Sequence, residues 1–269
     1  MRGIGEVAER LRRSTVQVHC AGSRGSGSGI IWSAEGLVLT NAHVARTKEL
    51  QVELWDGRRF PVRVASRDRR RDLAALRISA SGLDAAAHGD SSRLRPGELV
   101  IAVGSPLGFA TALSTGVVHS IGPISGMGTQ EWIRADVRLA PGNSGGPLAN
   151  AEGRVIGINT AILNGMGLAV ASNAAAAFLK YGARPSLGVV LQPIAAGLLL
   201  LEVDPDGAAA WASLKAGDVL LMSLDELHAA LDSGQETVRL RFLRGDPGVR
   251  RLPIRETTAR LAPRVAEAA

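Results

Sequence analysis

Apolar residues Ile4, Val7, Ala8 and Leu11 follow the i, i+3, i+4, i+7 spacing of one helical face. Residues 1–13 are therefore expected to form a short amphipathic helix with arginines on its outer face. Beyond it the period changes to two. Short β-branched or alternating segments predict strands near Val16–His19, Ile30–Trp32, Leu37–Thr40, Leu50–Leu54, Val62–Ala65, Ala74–Ile78, Val100–Val103, Gly116–Ser120, Trp132–Asp136, Val155–Asn159 and Leu168–Val170. Turn signals separate most of them: Gly22–Gly29, Asp56-Gly57, Arg95-Pro96-Gly97, Pro106 to Gly108 and Gly122-Pro123. Regularly spaced short strands with Gly and Pro punctuation imply an all-β sandwich or a pair of barrels over residues 14–182. Ser172–Tyr181 breaks the pattern. Ser172 or Asn173 can cap a helix that runs through the alanines and stops before Gly182.

Past Pro185 the character shifts. Strands are expected at Leu187–Leu191, Leu198–Val203, Val219–Met222 and Thr237–Phe242, with helices at Ala208–Leu214 and Leu224–Leu231. That makes residues 183–257 a small α+β module. Residues 258–269, which carry Pro263 and end in alanines, are expected to fray.

Composition narrows the classes. The 269 residues are 46% hydrophobic and 21% charged, which suits a packed globular chain of one or two domains. No apolar run reaches the ~18 residues of a membrane span, because Gln192, Pro193 and Glu202 interrupt the closest candidate, Leu187–Val203. Aromatic residues are 3% of the chain, so few rings exist to stack on bases. The net charge of +6 is nearly all arginine, and the densest cluster, Arg67, Arg69, Arg70 and Arg71, is interleaved with Asp68 and Asp72. That is the pattern of a solvated loop, and no nucleic-acid partner is expected. A single cysteine, Cys20, excludes an internal disulfide and a cysteine metal site, and no metal or organic cofactor is implied. Met1–Arg13 lacks the apolar stretch of a secretory signal, which leaves the compartment open.

Three segments carry chemistry together: Thr40-Asn41-Ala42-His43-Val44, Arg71-Asp72-Leu73, and Gly142-Asn143-Ser144-Gly145-Gly146-Pro147. A serine hydroxyl becomes a nucleophile when an imidazole takes its proton, and the imidazole needs a carboxylate to fix its tautomer. His43 supplies the imidazole. Asp72 supplies the carboxylate, with Asp68 an equal rival on sequence alone. Ser144 lies in a glycine-flanked turn whose backbone N–H groups can converge, so Gly142, Asn143 and Ser144 are candidates for an oxyanion hole. The order His, Asp, Ser within an all-β pattern is that of chymotrypsin-type enzymes.

These segments resemble the HtrA/Deg family of trypsin-like serine proteases. The resemblance runs through Gly27-Ser28-Gly29-Ile30-Ile31, Leu39–Val44, Asp72–Ile78, Gly104 to Gly108, Ser114 to Val118, Pro141–Leu148, Gly157 to Ala161 and Gly167 to Val170. It implies a chymotrypsin-like double β-barrel and a catalytic triad of His43, Asp72 and Ser144. It also implies a peptide-bond hydrolase for unfolded or damaged proteins. Residues 186 to about 256 resemble the PDZ domain that follows the protease in this family, through Leu187-Gly188-Val189, Val203 to Ala210 and Leu214 to Leu221. Leu187, Gly188 and Val189 would then be the loop that receives a peptide C-terminus. Two features depart from the pattern: an Asp-Gly turn is missing after Leu221, and Ser213 stands where glycine is usual. Trypsin has an acid six residues before its serine, where this chain has Arg138, so cleavage after Lys or Arg is not expected. Leu139, Met166 and Leu168 are the expected apolar lining of the substrate pocket. The family commonly forms a homotrimer through N-terminal aromatic residues, of which this chain has none before Trp32. The resemblance points to the periplasm or cell envelope. A peptide-binding or chaperone-like protein with a resting protease fold is the alternative reading.

Overall fold

The computed structural model describes residues 3–20, 26–47, 49–105, 112–124, 127, 130–183, 185–245 and 253–261. The chain divides into two compact units, with the boundary after Ala183.

The first unit opens with α1 (Ile4–Ser14), which buries Val7 and Leu11 as the periodicity predicts. Ile4 is left half exposed. Seven strands follow: β1 (Thr15–Cys20), β2 (Ser26–Ile31), β3 (Leu37–Thr40), β4 (Leu50–Glu53), β5 (Arg59–Pro61), β6 (Arg63–Asp68) and β7 (Leu73–Arg77). They pair in the order β5-β4-β1-β2-β3-β7-β6 around a core that includes Val16, Val18, Ile31, Val38, Val52 and Leu76. The ladder of this sheet does not close: β5 and β6 are its edges. Six further strands do close into a barrel, in the order β10-β13-β12-β11-β8-β9. They are β8 (Leu99–Gly104), β9 (Ala112–Gly122), β10 (Trp132–Asp136), β11 (Pro147–Asn150), β12 (Val155–Leu163) and β13 (Met166–Ala171). Val100, Ala102, Ile133, Ala135, Leu148, Ile156 and Ala169 fill it.

The last element of this unit, α2 (Ser172–Tyr181), covers the expected span, but its cap differs from the sequence expectation. Ala171 occupies the N-cap with no side-chain bond. Ser172 turns its hydroxyl to the Gly89 carbonyl at 2.8 Å, and Asn173 Nδ2 donates to Asp90. Gly182, at φ 77°, ends the helix with its N–H on the Phe178 carbonyl. Left-handed backbone there suits a residue without Cβ.

The second unit is a five-stranded antiparallel sheet in chain order with two helices. Its elements are β14 (Val189–Ile194), β15 (Gly197–Val203), α3 (Ala208–Trp211), β16 (Val219–Leu220), α4 (Leu224–Asp232), β17 (Thr237–Leu243) and β18 (Ile254–Arg260). Leu187, Leu198, Leu200, Leu220, Leu227, Leu231, Leu240 and Phe242 form its core. Helix α3 is shorter than the expected Ala208–Leu214, because Ser213 takes φ 62°, a left-handed turn that glycine adopts at lower cost.

Three strands were not legible in the sequence. Strands β5 and β11 are three and four residues long and each carries a proline, Pro61 and Pro147, which argues against a strand on sequence alone. The third is β18, which corrects the expected fraying from residue 258. Residues 254–260 pair with β17 along its whole length. Most of β18 is polar because it is an edge strand with one buried position, Ala259. The remaining tail, 262–269, lies outside the described residues, as do Met1 and Arg2, the turn residues 22–25, and Pro106 to Gly108.

Candidate active site

His43 lies in the turn after β3, and Asp72 directly precedes β7, the neighbour of β3. Pairing of these strands sets the two side chains together: His43 Nδ1 is 2.7 Å from Asp72 Oδ2. The His43 main-chain N–H donates to Asp72 Oδ1 at 3.0 Å. A carboxylate only accepts, so Nδ1 carries the proton and Nε2 is left as the basic nitrogen. Asn41 Nδ2 donates to the Asp72 carbonyl at 2.9 Å, which helps hold Asp72 at its positive φ of 54°. Aspartate tolerates that conformation better than most residues.

Asp68, the rival on sequence, plays a different part. It is 1% exposed, accepts from the Arg70 and Arg71 N–H groups at 3.0 and 2.9 Å, and pairs with the Arg71 guanidinium at 3.3 Å. It caps the turn that delivers Asp72.

Ser144 comes from the loop between β10 and β11 on the closed barrel. Its Oγ donates to the Thr160 carbonyl at 3.0 Å and not to His43. Thr160, on β12, also donates its own hydroxyl to Asp72 Oδ2. One residue thus contacts both the serine and the carboxylate. Sequence reasoning quoted Thr160 within a motif and gave it no role, because a threonine inside a strand carries no signal of its own. His43 and Ser144 line the same cavity, of about 360 Å³, with Cys20, Gly27, Val44, Pro141 and Gly142. A second cavity of about 360 Å³ lies at Trp32, Leu37, Ala75 and Phe178, and no histidine lines it.

The backbone around Ser144 leaves donors free. Asn143 N–H bonds the Ala140 carbonyl, Gly145 N–H the Asn159 carbonyl and Gly146 N–H the Asn143 carbonyl. Gly142 and Ser144 N–H find no acceptor among the described residues. Both flank Asn143 in the turn that carries the Ser144 hydroxyl, and unpaired N–H groups are what a developing oxyanion requires. Asn143, expected in the oxyanion hole, is 4% exposed and has its main-chain N–H engaged by the Ala140 carbonyl at 3.0 Å.

The expected pocket lining is corrected. A Cβ on Gly167 would lie 2.8 Å from Val137 and 3.1 Å from Leu139, so Leu139 faces the Gly167 side of β13. Alternation along the strand turns Met166 and Leu168 to the other face. The three residues do not line one pocket. Arg138 is solvent exposed.

In the second unit, Leu187 is buried, and its carbonyl accepts from Ala209 N–H at 2.8 Å. Gly188, at φ 72°, accepts from Asp204 N–H at 2.8 Å, and its own N–H donates to no described residue. Val189 opens β14, an edge strand of the sheet. Among the described residues no cluster of three His, Cys, Asp or Glu could hold a metal ion, and no helix is long and apolar enough to cross a membrane.

A family model for the trypsin-like peptidase domain matches residues 27–158. A Halomonas elongata protein named "Probable periplasmic serine endoprotease DegP-like" is 37% identical over 231 residues, 76% of this chain and 49% of its own length. A Synechocystis sp. protein named "Putative serine protease HhoB" is 35% identical over 233 residues, 74% of this chain and 56% of its own. The chain therefore spans about half the length of these curated relatives. Among solved structures, the HtrA-type protease AlgW with a decapeptide matches with a TM-score of 0.64 and 26% identity, over 97% of this chain and 99% of that one. The same protease with a tripeptide gives 0.65 and 27%, over 97% of each chain. The likeness takes in the strands and turns that hold His43, Asp72 and Ser144, and the chain belongs to the HtrA/Deg family of trypsin-like serine proteases.

Proposed function

We propose that the chain is a serine endopeptidase that cleaves unfolded or damaged proteins through Ser144, His43 and Asp72. The observation that carries this reading is the chain of contacts His43–Asp72–Thr160–Ser144, next to two unpaired N–H groups. Ser144 Oγ attacks the peptide carbonyl as His43 Nε2 takes its proton. Asp72 holds the tautomer and stabilises the imidazolium. The carbonyl oxygen, now an anion, is received by Gly142 and Ser144 N–H. His43 then returns the proton to the leaving amine, and water releases the acyl group by the same steps in reverse roles. For the attack the serine hydroxyl must leave the Thr160 carbonyl and turn to His43. Leu139, partly buried beside Gly167, and the exposed Arg138 put no acid before the nucleophile, which fits cleavage after aliphatic residues better than after Lys or Arg.

The second unit is read as a PDZ-like module: β14 is an open edge for strand addition, and Gly188 N–H is a free donor for a peptide carboxylate. Relatives named as periplasmic support the same compartment for this chain. Fluorophosphonate labelling tests the central claim. The wild-type chain is expected to label at Ser144 and Ser144→Ala to stay unlabelled. A wild-type chain that binds peptide and resists the reagent would instead favour the resting, peptide-binding reading, to which the Ser144–Thr160 bond belongs.

A further inference from the structure

We propose that Ser28 is a positioning residue for the oxyanion loop. Its hydroxyl fixes the direction of the Gly142 carbonyl and thereby keeps that dipole away from the Gly142 and Ser144 N–H groups that meet the substrate oxygen. The inference rests on the reading of Ser144 as nucleophile.

Ser28 sits in β2 among glycines, Ser26-Gly27-Ser28-Gly29, and is 0% exposed. A buried hydroxyl needs partners for both its roles. Here Oγ donates to the Gly142 carbonyl at 2.7 Å and accepts from Ser105 N–H at 2.9 Å. The main chain of the same residue is equally engaged. Its N–H donates to the Ser144 carbonyl at 2.8 Å, and its carbonyl accepts from Thr40 Oγ1 at 2.6 Å. One residue of the seven-stranded sheet therefore grips both ends of Gly142-Asn143-Ser144, a loop of the closed barrel 114 residues away.

The grip on Gly142 has a chemical consequence. Gly142 has φ 104°, so its backbone can turn where other residues could not. If the carbonyl swung toward the cavity, a negative dipole would stand where the oxyanion forms. Two bonds hold that peptide plane: Asn143 N–H to the Ala140 carbonyl at 3.0 Å, and Ser28 Oγ to the Gly142 carbonyl. No other described donor reaches the Gly142 carbonyl. The site also demands a small side chain. A Cβ on Gly146 would lie 3.2 Å from Ser28 Cβ, and a Cβ on Gly145 would lie 2.0 Å from the Ser28 carbonyl. Serine supplies the hydroxyl without branching.

The test compares wild type, Ser28→Ala and Ser28→Cys, each corrected for its titrated active fraction. Ser28→Ala is expected to lower kcat roughly 10- to 100-fold, with KM within about twofold, because only the transition state carries the oxyanion. Affinity for a peptide aldehyde, which forms an oxyanion on binding, should fall in proportion. Ser28→Cys, a weaker donor of similar shape, should fall between. A packing role would leave Cys near wild type and would move the active fraction rather than kcat. A corrected kcat within twofold of wild type in Ser28→Ala overturns the proposal. A crystal structure of Ser28→Ala adds an arm independent of activity. The Gly142 carbonyl should turn from residue 28, and an unmoved carbonyl sinks the inference. Should the wild type prove inert to fluorophosphonate, the protease reading fails, while that crystal structure still decides the role of Ser28.

Discussion

The two units place their important groups by different means. In the first, side chains tie segments far apart in sequence: Ser28 to Gly142 over 114 residues, Asp72 to Thr160 over 88, His43 to Asp72 over 29. In the second, the expected peptide loop is placed by backbone bonds, Leu187 to Ala209 and Gly188 to Asp204, over an apolar core. Its buried polar anchor is Asp218, 1% exposed, which accepts from Lys215 N–H and from Arg244. The difference fits the tasks proposed for the two units. Stabilising a developing charge requires dipoles that are fixed before the reaction. Adding a strand needs an open edge and an apolar floor. The first unit should therefore lose function to the removal of single polar atoms, and the second should not.

The largest effect is expected at the nucleophile. Ser144→Ala should cut casein hydrolysis by several powers of ten, with an unchanged thermal midpoint. Activity within tenfold of wild type would remove Ser144 from the mechanism. Next comes the pair of aspartates, which separates chemistry from architecture within a few residues. Asp72→Asn should lower kcat by roughly 10⁴, because the amide favours the wrong imidazole tautomer. Asp68→Asn should mainly lower the thermal midpoint, since Asp68 touches the turn and not His43. If Asp68→Asn proved the more damaging to kcat, the carboxylate has been misassigned.

In the second unit, peptides ending in a free apolar C-terminus should bind the full chain more than tenfold tighter than their amides. Charge-assisted bonds to backbone N–H are worth about 1.5–3 kcal/mol. Calorimetry on Ser144→Ala, which leaves such peptides intact, reads this directly. Equal affinities would leave β14 an edge without a carboxylate site.

The contrast also explains what the sequence revealed. Most strands and all three helices of nine or more residues were legible: Trp132–Asp136 as a short β-branched segment, Ser172–Tyr181 from its alanine run between polar cap candidates and Gly182. His43 and Ser144 stood out through the combination of their motifs, whereas Asp72 differed from Asp68 only in what the fold places beside it. Thr160 and Ser28 did not stand out, because their roles depend on partners brought close only by folding. The pocket was misread for a related reason. Leu139 and Leu168 are both apolar, and only the pairing of β13 decides that they face opposite ways. Strand β18 was missed because an edge strand can be polar along nearly its whole length.

The smallest expected effect inverts the behaviour of the first unit, since a hydroxyl there should matter to stability alone. Ser223 caps α4: its Oγ accepts from Glu226 N–H at 3.2 Å, while Glu226 Oε2 accepts from Ser223 N–H at 2.7 Å. Ser223→Ala removes the first bond. A cap of this kind is worth about 1 kcal/mol, so amide exchange in α4 should quicken roughly fivefold, most visibly at Leu227 and Leu231. Casein hydrolysis should stay unchanged. The reciprocal bond gives a pH signature. Ser223's backbone N–H, then its hydroxyl, hold the Glu226 carboxyl below its ordinary 4.5. A carboxyl with a lowered value in the folded state stabilises above its ordinary pKa, and that contribution is lost as pH falls through the lowered one. Acidification below 4.5 should therefore speed α4 exchange in the wild type, and Glu226→Gln should flatten that dependence. Exchange in α4 that is indifferent to both substitutions would mean that the helix is held by Leu227 and Leu231 alone.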